Sequence, residues 1–195
     1  MDFSFQLAVY NREGEPRHLP VADYLRARTG GELSWQPDPE DSTFIMEREG
    51  VVYIAPDWNL GSLKWLLPQM TAAAARLEAG EDALIRSAVI EGSEVPYISF
   101  EPAPEEGLLV SLFIIPDPQL EAIFPAGPWS ERSAELYDYF HARREELLKR
   151  VTDPYLLSLM GQEYFSEVGV PARLMIESLR REEELGRRLL ELFAQ

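Results

Sequence analysis

The chain has 195 residues, 34 of them acidic and 18 basic, for a net charge of −16. A chain of this length can bury roughly 70% of its unfolded surface in one core, and a hydrophobic share of 46% marks a globular protein rather than a disordered one. There is no cysteine and hence no disulfide; the acidity opposes nucleic-acid binding through phosphate contacts and adhesion to anionic membranes.

Met1-Asp2-Phe3-Ser4-Phe5 has neither the basic flank nor the long apolar run of a signal peptide. The longest apolar run, Gly107 to Pro116, is strand-sized and far short of a transmembrane helix. The expectation is a soluble, cytoplasmic protein. Arginine dominates the basic residues, with lysine only at positions 64 and 149.

In chain order, Phe3 to Tyr10 is rich in aromatic and β-branched residues and predicts a strand. Asn11 to Glu15 is a turn. Leu19 to Thr29 predicts a short helix with Val21, Tyr24, Leu25 and Arg28 on one face, stopped by Gly30-Gly31. Pro37 to Ser42 reads as a polar loop. Thr43 to Glu47 and Val51 to Ala55 flank Arg48-Glu49-Gly50 and predict a β-hairpin. From Leu60 to Ala79, Leu63, Leu66, Leu67, Met70, Ala73, Ala74 and Leu77 follow helical spacing. Pro68 lies inside that run, so the helix begins near it or kinks there.

Leu84 to Ile90, Val95 to Phe100 and Leu108 to Ile115 predict three strands. Pro116, Pro118, Pro125 and Pro128 mark a change of architecture. Ser130 to Val151 carries a helical stripe, and a second helix opens at Asp153-Pro154 and closes at Gly169 and Pro171. A last helix runs from about Pro171 to Phe193, its stripe interrupted by Arg180-Arg181-Glu182-Glu183-Glu184. The expected fold is α+β: a mostly antiparallel sheet with two helices in an acidic domain over residues 1–125, followed by a C-terminal three-helix segment. That segment, 126–195, is expected to pack on the domain or to mediate self-association. The element order is loosely similar to several small acidic binding folds, secretion chaperones among them, an analogy that carries no site with it.

Catalytic signatures are few. His18 reads as a solvated loop histidine. Asp138, His141 and Glu145 share a helix face, but a carboxylate-bridged di-metal site needs a second such pair, so they read as a solvated ion-pair face. The chain has too few Cys and His for a zinc site. Asp38-Pro39-Glu40-Asp41 lacks the ligand alternation of a calcium loop. No GxSxG elbow, Walker loop or dinucleotide fingerprint occurs. No catalytic residue, metal ligand or cofactor is assigned from the sequence.

The charge is segregated. Residues 1–128 carry 21 acids and 8 bases, residues 129–195 carry 13 and 10. Between 81 and 121, nine acids face Arg86 alone. Glu91, Glu94, Glu101, Glu105, Glu106, Asp117 and Glu121 are therefore candidate contacts for a basic protein partner, since opposed potentials raise association rates and select partners; simple solubility is the plainer reading of the same charge. Trp58 and Trp65, seven residues apart, are candidate aromatic anchors of that interface, or else pack on the C-terminal helices. Leu189, Leu190 and Phe193 read as packing within the chain's own core, with a homodimer contact as the alternative.

The leading functional expectation is a non-enzymatic protein-binding accessory protein, inhibitor-, immunity- or chaperone-like. The alternatives are a carboxylate-dependent hydrolase assisted by Mg²⁺ and a structural subunit of a homo-oligomer.

Overall fold

Apolar residues at every second position put Phe5, Leu7 and Val9 on one face of strand β1 (Phe3–Asn11), where all three are fully buried. The computed structural model describes residues 3–11, 17–33, 35–53, 60–86, 94–104, 107–116 and 168–194, giving only the backbone for 11, 17, 94–97 and 113–116. β1 pairs antiparallel with β2 (Arg17–Pro20) on one side and with β3 (Asp38–Arg48) on the other. β4 (Val51–Val52) extends the sheet to the order β2-β1-β3-β4. The turn between β3 and β4 is Glu49-Gly50, both at positive φ, 55° and 80°. That pair of left-handed residues matches the twist of a two-residue hairpin.

A second antiparallel sheet has the order β5-β6-β7-β8, from β5 (Ala83–Arg86), β6 (Glu94–Ala103), β7 (Gly107–Pro116) and β8 (Val168–Val170). Ala83, Ile85, Ile98, Phe100, Leu108, Val110, Leu112 and Val170 form its core face, in the register Ile85↔Ile98↔Leu112 and Phe100↔Val110. The two sheets share one apolar cluster. Phe5 stacks on Phe44 with centroids 4.8 Å apart and meets Phe100 of the other sheet edge-on at 6.2 Å, arrangements favoured by the ring quadrupoles.

Three helices complete the described fold: α1 (Val21–Thr29), α2 (Leu63–Glu78) and α3 (Ala172–Phe193). The antiparallel α+β class and the C-terminal helix agree with the sequence. α3 packs on α2, β1 and α1. At Gly186 the approach is so close that a Cβ would lie 2.5 Å from Leu67 Cδ2 and 2.9 Å from Leu7 Cδ2.

Several expectations change. Pro37 to Ser42 is not all loop: β3 starts at Asp38, whose carboxylate accepts the Glu40 N–H at 3.0 Å, and a bulge between Val9 and Tyr10 absorbs the irregularity. His18 is not a solvated loop residue. It lies in β2, 8% exposed, with its ring 5.1 Å from that of Tyr10. The first helix begins at Val21 because Leu19 and Pro20 are spent on pairing with β1. α2 begins at Leu63, five residues before Pro68. The carbonyl that Pro68 leaves without an intrahelical donor is that of exposed Lys64, where water can serve it. Gly169 does not end a helix; it sits in β8, opposite Leu109. The predicted helices over 130–151 and 154–168 lie outside the described residues, apart from Val168 in β8.

Candidate functional site

A strand at the margin of a sheet presents N–H and C=O groups that need partners. β2 covers β1 only from Ala8 to Asn11, leaving the stretch from Phe3 to Leu7 to be closed by something else. α3 closes it. The Leu7 N–H donates to Glu182 Oε2 at 2.9 Å, Arg181 Nη2 donates to the Phe5 carbonyl at 3.2 Å, and Arg181 Nε donates to Glu182 Oε1 at 2.8 Å. Residues two apart point their backbone groups to the same side of a strand, so the Arg181–Glu182 pair imitates a neighbouring strand. Glu182 is 1% exposed. Burial pushes its carboxyl pKa up, against the lowering pull of Arg181 and the Leu7 N–H.

α2 closes the outer edge of β5 in the same manner. The Gln69 side-chain amide accepts the Arg86 N–H at 2.9 Å and donates to the Arg86 carbonyl at 3.0 Å. Trp65 Nε1 donates to that carbonyl at 3.2 Å, and Arg76 Nε to the Asp82 carbonyl at 2.7 Å. The Arg86 side chain is itself fully buried, on the sheet face opposite the shared core, with Leu84, Ser99 and Ser111. Its guanidinium carbon lies 5.8 Å from the centroid of the Trp65 ring, a cation–π distance.

The residues proposed from sequence as partner contacts are only partly described. Glu101 is half-buried on β6 and accepts from Ser99 Oγ at 3.4 Å. Glu94 belongs to β6 by its backbone. Glu91, Glu105, Glu106, Asp117, Glu121 and Trp58 lie outside the described residues, as do Asp138, His141 and Glu145. Trp65 is half-buried and packs on the core. The one base within 81–121, Arg86, has its side chain fully buried.

Two surface features went unrecognised in the sequence. One is the β3–β4 hairpin, where the exposed Glu47 and Glu49 flank Arg48 at the turn. Val51 and Val52 at its edge are 51% and 53% exposed. The Arg48–Glu49 contact is long, 3.8 Å, with Glu49 exposed, so it neutralises little. The other is a groove of about 400 Å³ between the C-terminal ends of α1 and α3, lined by Leu25, Arg28, Thr29, Arg188, Glu191 and Leu192. Among the described residues no group of three or more His, Asp or Glu is placed to hold a metal ion, and no helix is long and apolar enough to cross a membrane. Neither a family model, nor a curated protein, nor a solved structure matches this chain.

Proposed function

We propose that this chain is a non-enzymatic protein-binding accessory protein, inhibitor-, immunity- or chaperone-like, that engages a basic partner through an acidic surface. The β3–β4 hairpin supports this reading best. Its exposed valines are an apolar contact at a sheet edge, and the exposed Glu47 and Glu49 beside them favour a basic approach. The acidic stretch 81–121 would extend the same potential. Self-association is the less favoured use of α3, because Leu189 is buried in the chain's own core and Leu190 and Phe193 pack on it.

The test is capture from the protein's own cell extract at low salt, followed by titration of the purified captured protein. A basic protein should elute as salt rises, and its affinity should fall steeply with ionic strength, since exposed charges are screened beyond about 8 Å at 0.15 M. Reversing Glu47 and Glu49 to lysine should weaken the complex at least about tenfold at low salt, mainly through the association rate. An affinity that ignores both salt and charge reversal would sink the proposal.

A further inference from the structure

The groove between α1 and α3 runs against the charge of the molecule. In a chain with 34 acids and 18 bases, its charged lining among the described residues is two arginines and one glutamate. The arginines differ in what they already do. Arg28 Nη1 donates to the Leu33 carbonyl at 3.0 Å, which fixes its guanidinium beyond the last turn of α1. Arg188 is exposed and forms no ion pair or hydrogen bond among the described residues. The other arginines of α3 behave otherwise: Arg173 pairs with Glu177, Arg180 with Glu78, Arg181 with Glu182 and Arg187 with Glu183. Arg188 has glutamates at the matching spacings, Glu184 four residues before and Glu191 three after, yet it pairs with neither and lines the groove instead.

A guanidinium is a planar fork of donors that fits a carboxylate or a phosphate in two parallel hydrogen bonds. Leu25 and Leu192 supply apolar surface in the same groove, and about 400 Å³ is within the range of small-molecule sites. Glu191 narrows the choice, because its carboxylate repels a dianion more strongly than a monoanion. We propose that this groove binds a small amphipathic monocarboxylate, its carboxylate held by Arg188 with support from Arg28 and its apolar part against Leu25 and Leu192. This site is separate from the acidic hairpin and does not depend on the partner proposed above.

The experiment is calorimetric titration of the full-length chain with octanoate, 1-octanol and inorganic phosphate. The groove predicts saturable octanoate binding, tighter than that of either control. Arg188→Ala should weaken octanoate at least about fivefold, and Glu191→Gln should strengthen it about twofold or more, the sizes expected for exposed charge-assisted contacts. Both positions are exposed, so thermal melts of the two variants should match the parent and report the fold separately. No saturable octanoate binding would overturn the proposal, as would octanol or phosphate binding equally well, or an Arg188→Ala variant that binds like the parent.

Discussion

Glu182 carries a charge into the interior, and the reason lies in the strand it faces. Leu7 needs an acceptor for its N–H, and among the described residues no strand passes there to provide one. An aliphatic side chain at 182 would fill the space and leave that N–H unsatisfied, a loss of about 1–3 kcal/mol. The pH dependence follows from the direction of the shift. The folded-state pKa is raised by burial, so the native state holds this proton more tightly than the unfolded chain. Stability from this group is therefore fully present below the ordinary glutamate range and is lost as pH rises through the folded pKa. Against Glu182→Gln, which keeps a carbonyl acceptor for Leu7 and does not titrate, the parent should lose melting temperature progressively as pH climbs through that window. A difference between the two that stays constant with pH would refute the assignment. Glu182→Ala should cost about 2 kcal/mol below the ordinary glutamate range by urea denaturation, and less as pH rises through the folded pKa. Met175, Leu179, Glu182, Gly186 and Leu189 lie on one helical stripe, but in the sequence the charged run from Arg180 to Glu184 read as an interruption of it. What the stripe could not reveal is that β1 would lack a neighbour beside Leu7. Gln69 was hidden for the same reason, since its purpose depends on the edge of β5. In the groove, Arg28 lay on the predicted face of α1, but nothing local distinguishes Arg188 from its paired neighbours.

At the scale of elements, the strands with clear alternation and the helices with long stripes were readable, because those periodicities report a buried face directly. β8 was not. Val168-Gly169-Val170 is too short to show alternation, and its pairing with β7 joins segments some sixty residues apart. The Gly-x-Pro pattern that suggested a helix end marks instead the passage from β8 into α3. Gly107 is what lets that passage lie against the start of β7. Its φ is +85°, and a Cβ there would stand 2.8 Å from the Val170 carbonyl oxygen and 2.9 Å from the Ala172 nitrogen. Both neighbours are backbone and cannot swing aside as a side-chain end would. Gly107→Ala therefore incurs the left-handed penalty of about 1 kcal/mol and an overpacking cost of about 1–3 kcal/mol. The expected destabilisation is about 2–4 kcal/mol in a denaturant titration. A Gly80→Ala control, also at positive φ but with nothing within 4 Å of the added carbon, should show only the first part.

Over the whole molecule, the C-terminal helix is bound into both halves of the core rather than appended to them. β8 completes the second sheet, while α3 closes the edge of the first and packs along α2. A chain cut before Leu185 loses Gly186 and Leu189 from the interior, and with them the cover over Leu7 and Leu67. Removing Leu189 alone resembles a buried leucine truncation, about 2–5 kcal/mol; losing the rest of the half-buried stripe adds to it. For a chain of this size 1 kcal/mol shifts the melting temperature by about 2–4 °C, so the truncated protein should melt at least about 10 °C below the parent and bind a hydrophobic dye at temperatures where the parent does not. If α3 served chiefly to join two copies, the same cut would halve the mass measured by light scattering and leave a stable monomer. The buried positions of Glu182, Gly186 and Leu189 argue for the first outcome, because a helix held in place by a strand-edge hydrogen bond and a glycine contact has little freedom to serve a second chain with the same face.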